Sequence, residues 1–400
     1  MILKEELEVL RGAPIEVFDG DPMAIPCIEM SDAEKLCKHP VVSVQMCTYN
    51  HEPYIRQAIE GVMMQKTDFE FELVIGEDCS QDKTREICFE YQKKHPDKIR
   101  VLWWRENVSK LGGNSRRVQA HCRGEFIAFC EGDDYWIDPL KLQKQVDVMR
   151  KYPNVGFCFC GAKMRWFGCE KLESWNNDRG HVWDSGIING ELFFLTHIFG
   201  VSLALGHCLA SSMLMTATVV VRKRCLEDVR IRYADLFSYK LFLGDSTLWL
   251  AISSISDVFY LTDEVSVYRQ VQDGQCQRLG YRVHLDGILV RLYYISRLLK
   301  LKLRHVCVAG FDDFVIDQGK ILQGKCILSR FQRMATLITH FPGFVFNLRY
   351  VLAFCSYLII GFGGRRERIT RKLLRMTKRS PISRRLKQTI ANYGHGEYKS

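Results

Sequence analysis

The sequence predicts an α/β fold: an αβα sandwich around a central mixed, mostly parallel sheet, followed by a helical C-terminal region. Three observations predict it. Short β-branched runs alternate with amphipathic helix patterns between residues 41 and 160. Helix-capping and turn residues punctuate that alternation at βαβ spacing. Clusters of polar and acidic residues fall at the carboxyl ends of the strand candidates, where open α/β sheets bind ligands.

Residues 1–40 contain "APIEVFDGDPMAIPC" and are turn-rich, which predicts an extension draped on the main domain. "VVSVQMC" (41–47) is a β-branched strand, "YNHEP" a polar loop and "YIRQAIEGVMMQ" (54–65) a helix. "FELVIGE" (71–77) is the second strand. "DCSQDKT" supplies cap residues, and "REICFEYQKKH" is an amphipathic helix that ends before Pro96. "IRVLWW" (99–104) is a third strand, helix signals run through 114–122, and "EFIAFC" (125–130) is a fourth strand. "PLKLQKQVDVMRKY" (139–152) opens with proline in its first turn, as helices tolerate, and "VGFCFC" (155–160) is a fifth strand. The boundaries that follow are 1–40 for the extension, 41–280 for the main domain, 281–364 for the helical region and 365–400 for a basic tail.

The 400 residues carry 56 Lys and Arg against 46 Asp and Glu, a net charge of +10. Residues 365–400 hold twelve of the basic groups and two of the acidic ones, so the remainder is balanced at 44 of each. The body is therefore not a nucleic-acid-binding surface; only the tail is cationic. The 16 cysteines are scattered singly, and the first residues, "MILKEELEVLRG", show no apolar signal segment. Both features predict reduced thiols in a cytoplasmic protein. Cys158, Cys160 and Cys169 lack a second pair at zinc-ribbon spacing and are expected to be structural.

Two apolar stretches bear on membranes. Residues 192–221 lack Lys, Arg, Asp and Glu, yet include two His, two Gly and several Ser and Thr. They predict a buried helix and loop leading into the strand "ATVVVR" rather than a span. Residues 341–364 are interrupted by Arg349 and run directly into the basic tail. There Ile369, Leu373 and Met376 share one helical face, and Ile382, Leu386 and Ile390 another. That pattern predicts an interfacial anchor on an anionic leaflet, placing the protein peripherally on the inner face of the plasma membrane.

The sharpest feature is "FIAFCEGDDYWIDPLKLQKQ" (126–145), where an apolar strand ends in Glu131, Asp133 and Asp134. Packed carboxylates repel one another and are costly to bury unpaired. Thr48-Tyr49-Asn50 ends the first strand and Glu77-Asp78 the second, so three polar clusters converge on one rim. "CTYNHEP" is neither a dinucleotide fingerprint nor a phosphate-binding P-loop. Carboxylates without a glycine cradle suggest a divalent cation, held by Asp133, that carries a diphosphate's charge.

The stretch 42–84, "VSVQMCTYNHEPYIRQAIEGVMMQKTDFEFELVIGEDCSQDKT", followed by "CRGEFIAFCEGDDYWIDPLKLQKQVD" (122–147), resembles family 2 glycosyltransferases of the GT-A fold. It is especially similar to bacterial enzymes that build surface glycans. The resemblance is strong over 41–160 and weaker over 210–275. It implies that Thr48, Tyr49 and Asn50 line the nucleotide site and that Asp78 meets the base edge. It implies that Glu131-Gly132-Asp133 stands for the family's Asp-x-Asp motif, Asp133 binding Mn²⁺ or Mg²⁺ and Asp134 supporting the loop. "FLGDSTLWLAIS" (242–253) resembles the acceptor-side segment, which points to Asp245 as catalytic base, with Asp235 in reserve. The alternative for Asp245 is a helix N-cap. "VYRQVQDGQC" (267–276) resembles a late loop over the diphosphate, giving Arg269 as a phosphate clamp or an ion-pair partner. Many relatives carry a His where this chain has Val271. Trp136 is a candidate sugar contact, whereas at least one of Trp103 and Trp104 is expected in the core.

The function so implied is inverting, metal-dependent transfer of a sugar from a nucleotide sugar, a UDP-sugar by preference, to a glycan or lipid-linked acceptor. Two alternatives stand beside it. A sugar nucleotidyltransferase would need a glycine-rich triphosphate loop that "CTYNHEP" does not provide. A non-catalytic glycan- or nucleotide-binding relative would fit the Glu at 131 and the Val at 271.

Overall fold

A computed structural model describes residues 25–111, 114–174, 185–188, 190, 193, 214–238 and 244–271. These all fall within one compact unit, 16–287. The expected helical region and basic tail, the start of the extension, and most of 192–213 lie outside the described residues.

The sheet grows from apolar runs that can be covered on both faces. Strands β2 (Val42–Thr48), β3 (Phe71–Glu77), β4 (Ile99–Trp103) and β5 (Phe126–Phe129) form its parallel heart in the order β4-β3-β2-β5. Every residue of β3 is buried, as a doubly covered parallel strand requires. Val42, Val44, Met46, Leu73, Ile75 and Phe126 pack on one face against helices α1 (Ile55–Met63), α2 (Thr84–Lys94) and α4 (Lys141–Lys151). Helix α3 (Asn114–His121) covers the other face, where Gln45 donates to Ser115 Oγ at 2.7 Å. The αβα layering expected from the alternation is thus present.

Beyond β5 the sheet becomes mixed. Strands β7 (Val155–Arg165) and β11 (Asp257–Arg269) run parallel to each other over ten paired residues. Strand β10 (Val220–Arg222) lies antiparallel between β5 and β7. Strand β6 (Tyr135–Trp136) closes the far edge against β11, and β1 (Ile28–Met30) closes the near edge against β4. Two short strands, β8 (Leu172–Ser174) and β9 (Gly186–Ile188), pair antiparallel with β7 and β11. The antiparallel ladders are two or three residues long, so most pairing is parallel. The long strand β11 and the two-residue β6 are absent from the sequence expectation. Asp263 and Glu264 interrupt the apolar pattern of β11, and its register shifts around Glu264.

A buried charge network ties the edge of the sheet together. Glu72 is fully buried and accepts hydrogen bonds from Ser43 Oγ at 2.6 Å, Arg123 Nε at 2.9 Å and Arg100 NH1 at 3.2 Å. Burial alone would raise its carboxyl; the Arg123 and Ser43 hydrogen bonds and the Arg100 charge outweigh that and hold it below the usual carboxylate range. Arg100 in turn makes two hydrogen bonds to Glu29 on β1, which anchors the described end of the N-terminal extension.

The eleven described cysteines are free thiols, six of them buried. No helix among the described residues is long and apolar enough to cross a membrane. Removing the Glu72 carboxylate leaves Arg100 and Arg123 facing a site without its anion. Glu72→Ala is therefore expected to lower stability by about 3–5 kcal/mol in urea denaturation.

Candidate functional site

The polar clusters meet at the carboxyl ends of β2, β3 and β5. Main-chain bonds stitch the ends together: Asp78 N donates to Thr48 O, Gly132 N to Cys47 O and Cys130 N to Gln45 O, each at 3.0 Å. The acidic loop 130–134 is thereby pressed against the end of β2. Gly132 makes that contact possible, because a Cβ there would lie 2.6 Å from Thr48 Oγ1 and 2.7 Å from His51 Nδ1.

Around this loop the carboxylates gather. Glu131 is half-buried, and burial followed by the Asp133 and Asp245 charges pushes its carboxyl up to about 8. Asp133 is one-quarter exposed, and its nearest described ion-pair partner is His51 Nε2 at 3.9 Å. Asp245 sits in the first turn of the helix Gly244–Ser253, and Thr216 Oγ1 donates to its Oδ2 at 3.0 Å. The structure thus brings Glu131, Asp133 and Asp245 into one electrostatic neighbourhood, although more than a hundred residues separate Asp245 from the other two. Asp235 is exposed on the short helix Ala234–Ser238.

Asp134 and Arg269 form the underside of the loop. Asp134 is buried; burial and the Asp133 charge drive its carboxyl well above the usual range, opposed by a hydrogen bond from the Arg269 main-chain N–H at 2.9 Å. Asp134 therefore faces the protein, as support for the loop. The Arg269 guanidinium is buried, donates to Asp133 O at 2.8 Å and to Gln57 Oε1, and lies 4.3 Å over the Tyr135 ring and 5.3 Å over Tyr54. Two protein oxygens and two aromatic faces engage this side chain, which adds a brace beneath the loop to the expected readings of phosphate clamp and ion pair. Val271 follows Arg269 closely and is half-buried.

On the other side of the crevice the loops after β2 and β3 lock together. Asn50 adopts a left-handed φ of 53°. Its main-chain N–H donates to Ser80 Oγ at 3.0 Å, and its Oδ1 accepts from Gln81 N at 2.8 Å. Asp82 accepts from Glu52 N and Thr84 N, both at 3.0 Å. Asp78 is fully buried, and its two oxygens accept from Val108 N at 2.6 Å and Ser109 N at 3.0 Å, which orders the loop after β4. Glu77 is paired with Arg85. Thr48 is buried at the strand end, and Tyr49 is half-exposed beside it.

Two tryptophans resolve in different ways. Trp136 is only 2% exposed, its Nε1 donates to Ala217 O at 2.9 Å, and the Lys141 ammonium lies 4.2 Å from its ring centre. The expected sugar contact is therefore a core residue: pairing of β6 with β11 turns the indole inward, away from its acidic neighbours. Trp104 is in the core, as at least one of its pair was expected to be, while Trp103 carries the Arg85 guanidinium 4.7 Å over its ring.

His51 and Thr216 join the site without having been singled out in the sequence. His51 lies in "YNHEP", where a polar loop residue attracts no attention until Gly132 is seen to pack on its ring. Burial holds its imidazole below the ordinary histidine range, opposed by the Asp133 charge. Among the described residues no set of three or more His, Cys, Asp and Glu is arranged to hold a metal by itself. The donor set present is a partly exposed Asp133 with acidic neighbours. That chemistry fits a hard divalent cation whose remaining ligands are water and phosphate oxygens.

Residues 43–202 match the model of glycosyl transferase family 2. Over 118 residues the chain is 41% identical to an uncharacterized protein of Mycobacterium tuberculosis (strain H37Rv), covering 30% of this chain and 34% of that protein. Over 125 residues it is 32% identical to TuaG of Bacillus subtilis (strain 168), provisionally named a teichuronic acid biosynthesis glycosyltransferase, covering 31% of this chain and 48% of TuaG. The matched segment thus spans from about a third to under half of these relatives' length. A crystal structure of S. aureus TarS 1–349 in complex with UDP-GlcNAc superposes with a TM-score of 0.53 at 17% identity, covering 80% of this chain and 84% of that one. This last likeness shows a shared fold.

The two readings of Arg269 separate experimentally. A brace holds the loop whether or not ligand is present, so Arg269→Ala is expected to lower ligand-free stability by about 2 kcal/mol in chemical denaturation. A clamp that touched only a phosphate would leave that stability unchanged.

Proposed function

From the match of residues 43–202 to the model of glycosyl transferase family 2, we propose that the protein is an inverting, metal-dependent glycosyltransferase using a UDP-sugar. The observation that carries this reading is the convergence of Glu131, Asp133 and Asp245 beside the ends of β2 and β3. The UDP-GlcNAc bound by TarS supports the choice of nucleotide, and the name of TuaG supports a surface-polysaccharide context.

In this reading each residue has a distinct task. Thr48, Tyr49 and Asn50 shape the wall that receives the nucleoside. Asp78, expected to meet the base edge itself, is fully buried with both oxygens held by Val108 N and Ser109 N, and its task becomes positioning the neighbouring loop at that edge. Asp133 would hold Mn²⁺ or Mg²⁺, with Glu131 beside it, and the ion would supply positive charge opposite the donor diphosphate. Asp245 takes the proton from the acceptor hydroxyl as that oxygen attacks the sugar carbon from the side opposite the nucleotide. The Thr216 hydrogen bond fixes one Asp245 oxygen and so orients the carboxylate. Asp134 and Arg269 keep the loop in place from below.

The acceptor is a glycan or a lipid-linked glycan in this account, and the basic stretch 365–400 holds the protein to the anionic inner face of the plasma membrane. The charge pattern of that stretch is the support for the membrane contact.

The two carboxylates have separable consequences. Asp133→Asn is expected to abolish the gain in UDP affinity that Mn²⁺ produces in isothermal titration, because a neutral amide is a poor ligand for a hard cation. Asp245→Asn is expected to bind Mn²⁺ and UDP within about threefold of wild type while transfer falls by about a hundredfold or more, the range a general base contributes. UDP affinity that ignores Mn²⁺ in the wild type would remove the metal from the account. Parallel loss of binding and turnover in Asp245→Asn would make that residue structural.

A further inference from the structure

Beside the acidic loop stands a side chain to which the proposed mechanism assigns no task. The His51 main-chain N–H donates to Thr84 Oγ1 at 2.8 Å, and its carbonyl accepts from Tyr54 N and Ile55 N at 2.8 and 2.9 Å. The imidazole is therefore carried on a pinned turn. Its Nδ1 is 3.2 Å from Thr48 Oγ1, and the ring rests against Gly132, where a Cβ would come within 2.7 Å of Nδ1. Its Nε2 points toward Asp133 Oδ2 at 3.9 Å. That separation is too long for a hydrogen bond. Both side chains remain about one-fifth to one-quarter exposed, so the gap between them opens to solvent.

The spacing has a chemical meaning. Two donor atoms on one divalent ion, each at about 2.1 Å, stand about 3 to 4 Å apart as the angle between them widens from a right angle toward a straight line. The 3.9 Å gap lies in that interval. With the proton on Nδ1 donated to Thr48 Oγ1, the Nε2 lone pair faces the same space as the Asp133 carboxylate. A ring nitrogen anchored by a hydrogen bond at its other nitrogen is the usual arrangement of a metal-bound histidine.

We propose that His51 Nε2 is a protein nitrogen ligand to the cation held by Asp133, and that it tunes the site toward Mn²⁺ over Mg²⁺. Nitrogen ligands raise affinity for first-row transition ions, whereas Mg²⁺ prefers an all-oxygen shell. The inference rests on the metal-dependent reading above and adds a ligand and a preference to it.

Electron paramagnetic resonance of the full chain with Mn²⁺ and UDP tests it directly. Pulsed spectra of the wild-type complex are expected to show coupling of the Mn²⁺ electron spin to ¹⁴N, replaced by ¹⁵N coupling when the protein is made with ¹⁵N-histidine. In His51→Gln that coupling should vanish. Mn²⁺-supported UDP binding should weaken about tenfold or more, the lower end of what loss of a metal-site partner costs. Mg²⁺-supported binding should change by less than about threefold. A wild-type Mn²⁺–UDP complex without histidine nitrogen coupling overturns this inference and leaves the metal reading standing. UDP binding indifferent to Mn²⁺ overturns the metal reading, and this inference with it. Because the decisive spectrum is that of the wild type, the test does not depend on the variant folding.

Discussion

Burial of the carboxylates of the 131–134 loop beside one another and beside Asp245 is the constraint around which the rest of the molecule is arranged. Burying carboxylates is costly and the Asp133 charge adds to the cost, which shows in Glu131, pushed up to about 8, and in Asp134, pushed well above the usual range. A fold that keeps such a cluster must hold it by force from outside. Here the force comes from main-chain hydrogen bonds at the strand ends and from a buried arginine.

That arginine explains the reach of the sheet. Arg269 ends β11, whose partner strands β7 and β6 lie on either side of it. Its main-chain N–H meets Asp134 and its guanidinium meets the Asp133 carbonyl, so the last described strand holds the loop that follows β5. The tyrosines on either side come from the acidic segment and from the turn leading into α1. The site therefore depends on contacts among residues near 50, 130 and 270, and none of the three segments could hold it alone. The far side of the sheet serves stability instead, where Glu72, Arg100 and Arg123 balance a buried charge well away from the crevice.

Much of this was legible in the amino-acid order. The strand "FELVIGE" coincides with β3 residue for residue, because a short apolar run bounded by polar turns has few other uses. The acidic loop was legible because Glu131, Asp133 and Asp134 directly follow an apolar run. What escaped was whatever depends on distant pairing. Strand β11 was hidden by Asp263 and Glu264 in its middle, and its parallel register with β7 is set across about a hundred residues. Arg269 looked like a ligand contact because the sequence does not reveal Gln57, Tyr54 and Tyr135 around it. Trp136 looked exposed because of its acidic neighbours, yet the tight approach of its backbone to Gly61, where a Cβ would lie 2.9 Å away, carries the indole inward. His51 was one polar residue in a polar loop until Gly132 was seen against it.

The account makes the acidic crevice a place where a nucleotide sugar is bound and cleaved with the help of a divalent cation. The most direct measurement is release of nucleoside diphosphate from a panel of UDP-, GDP- and dTDP-sugars by the full chain, with Mn²⁺ and with a chelator. The account predicts UDP release from at least one UDP-sugar, dependent on Mn²⁺ and abolished by the chelator. Turnover of the same UDP-sugar unchanged by the chelator, or no release from any sugar in the panel together with no binding of UDP, would contradict it.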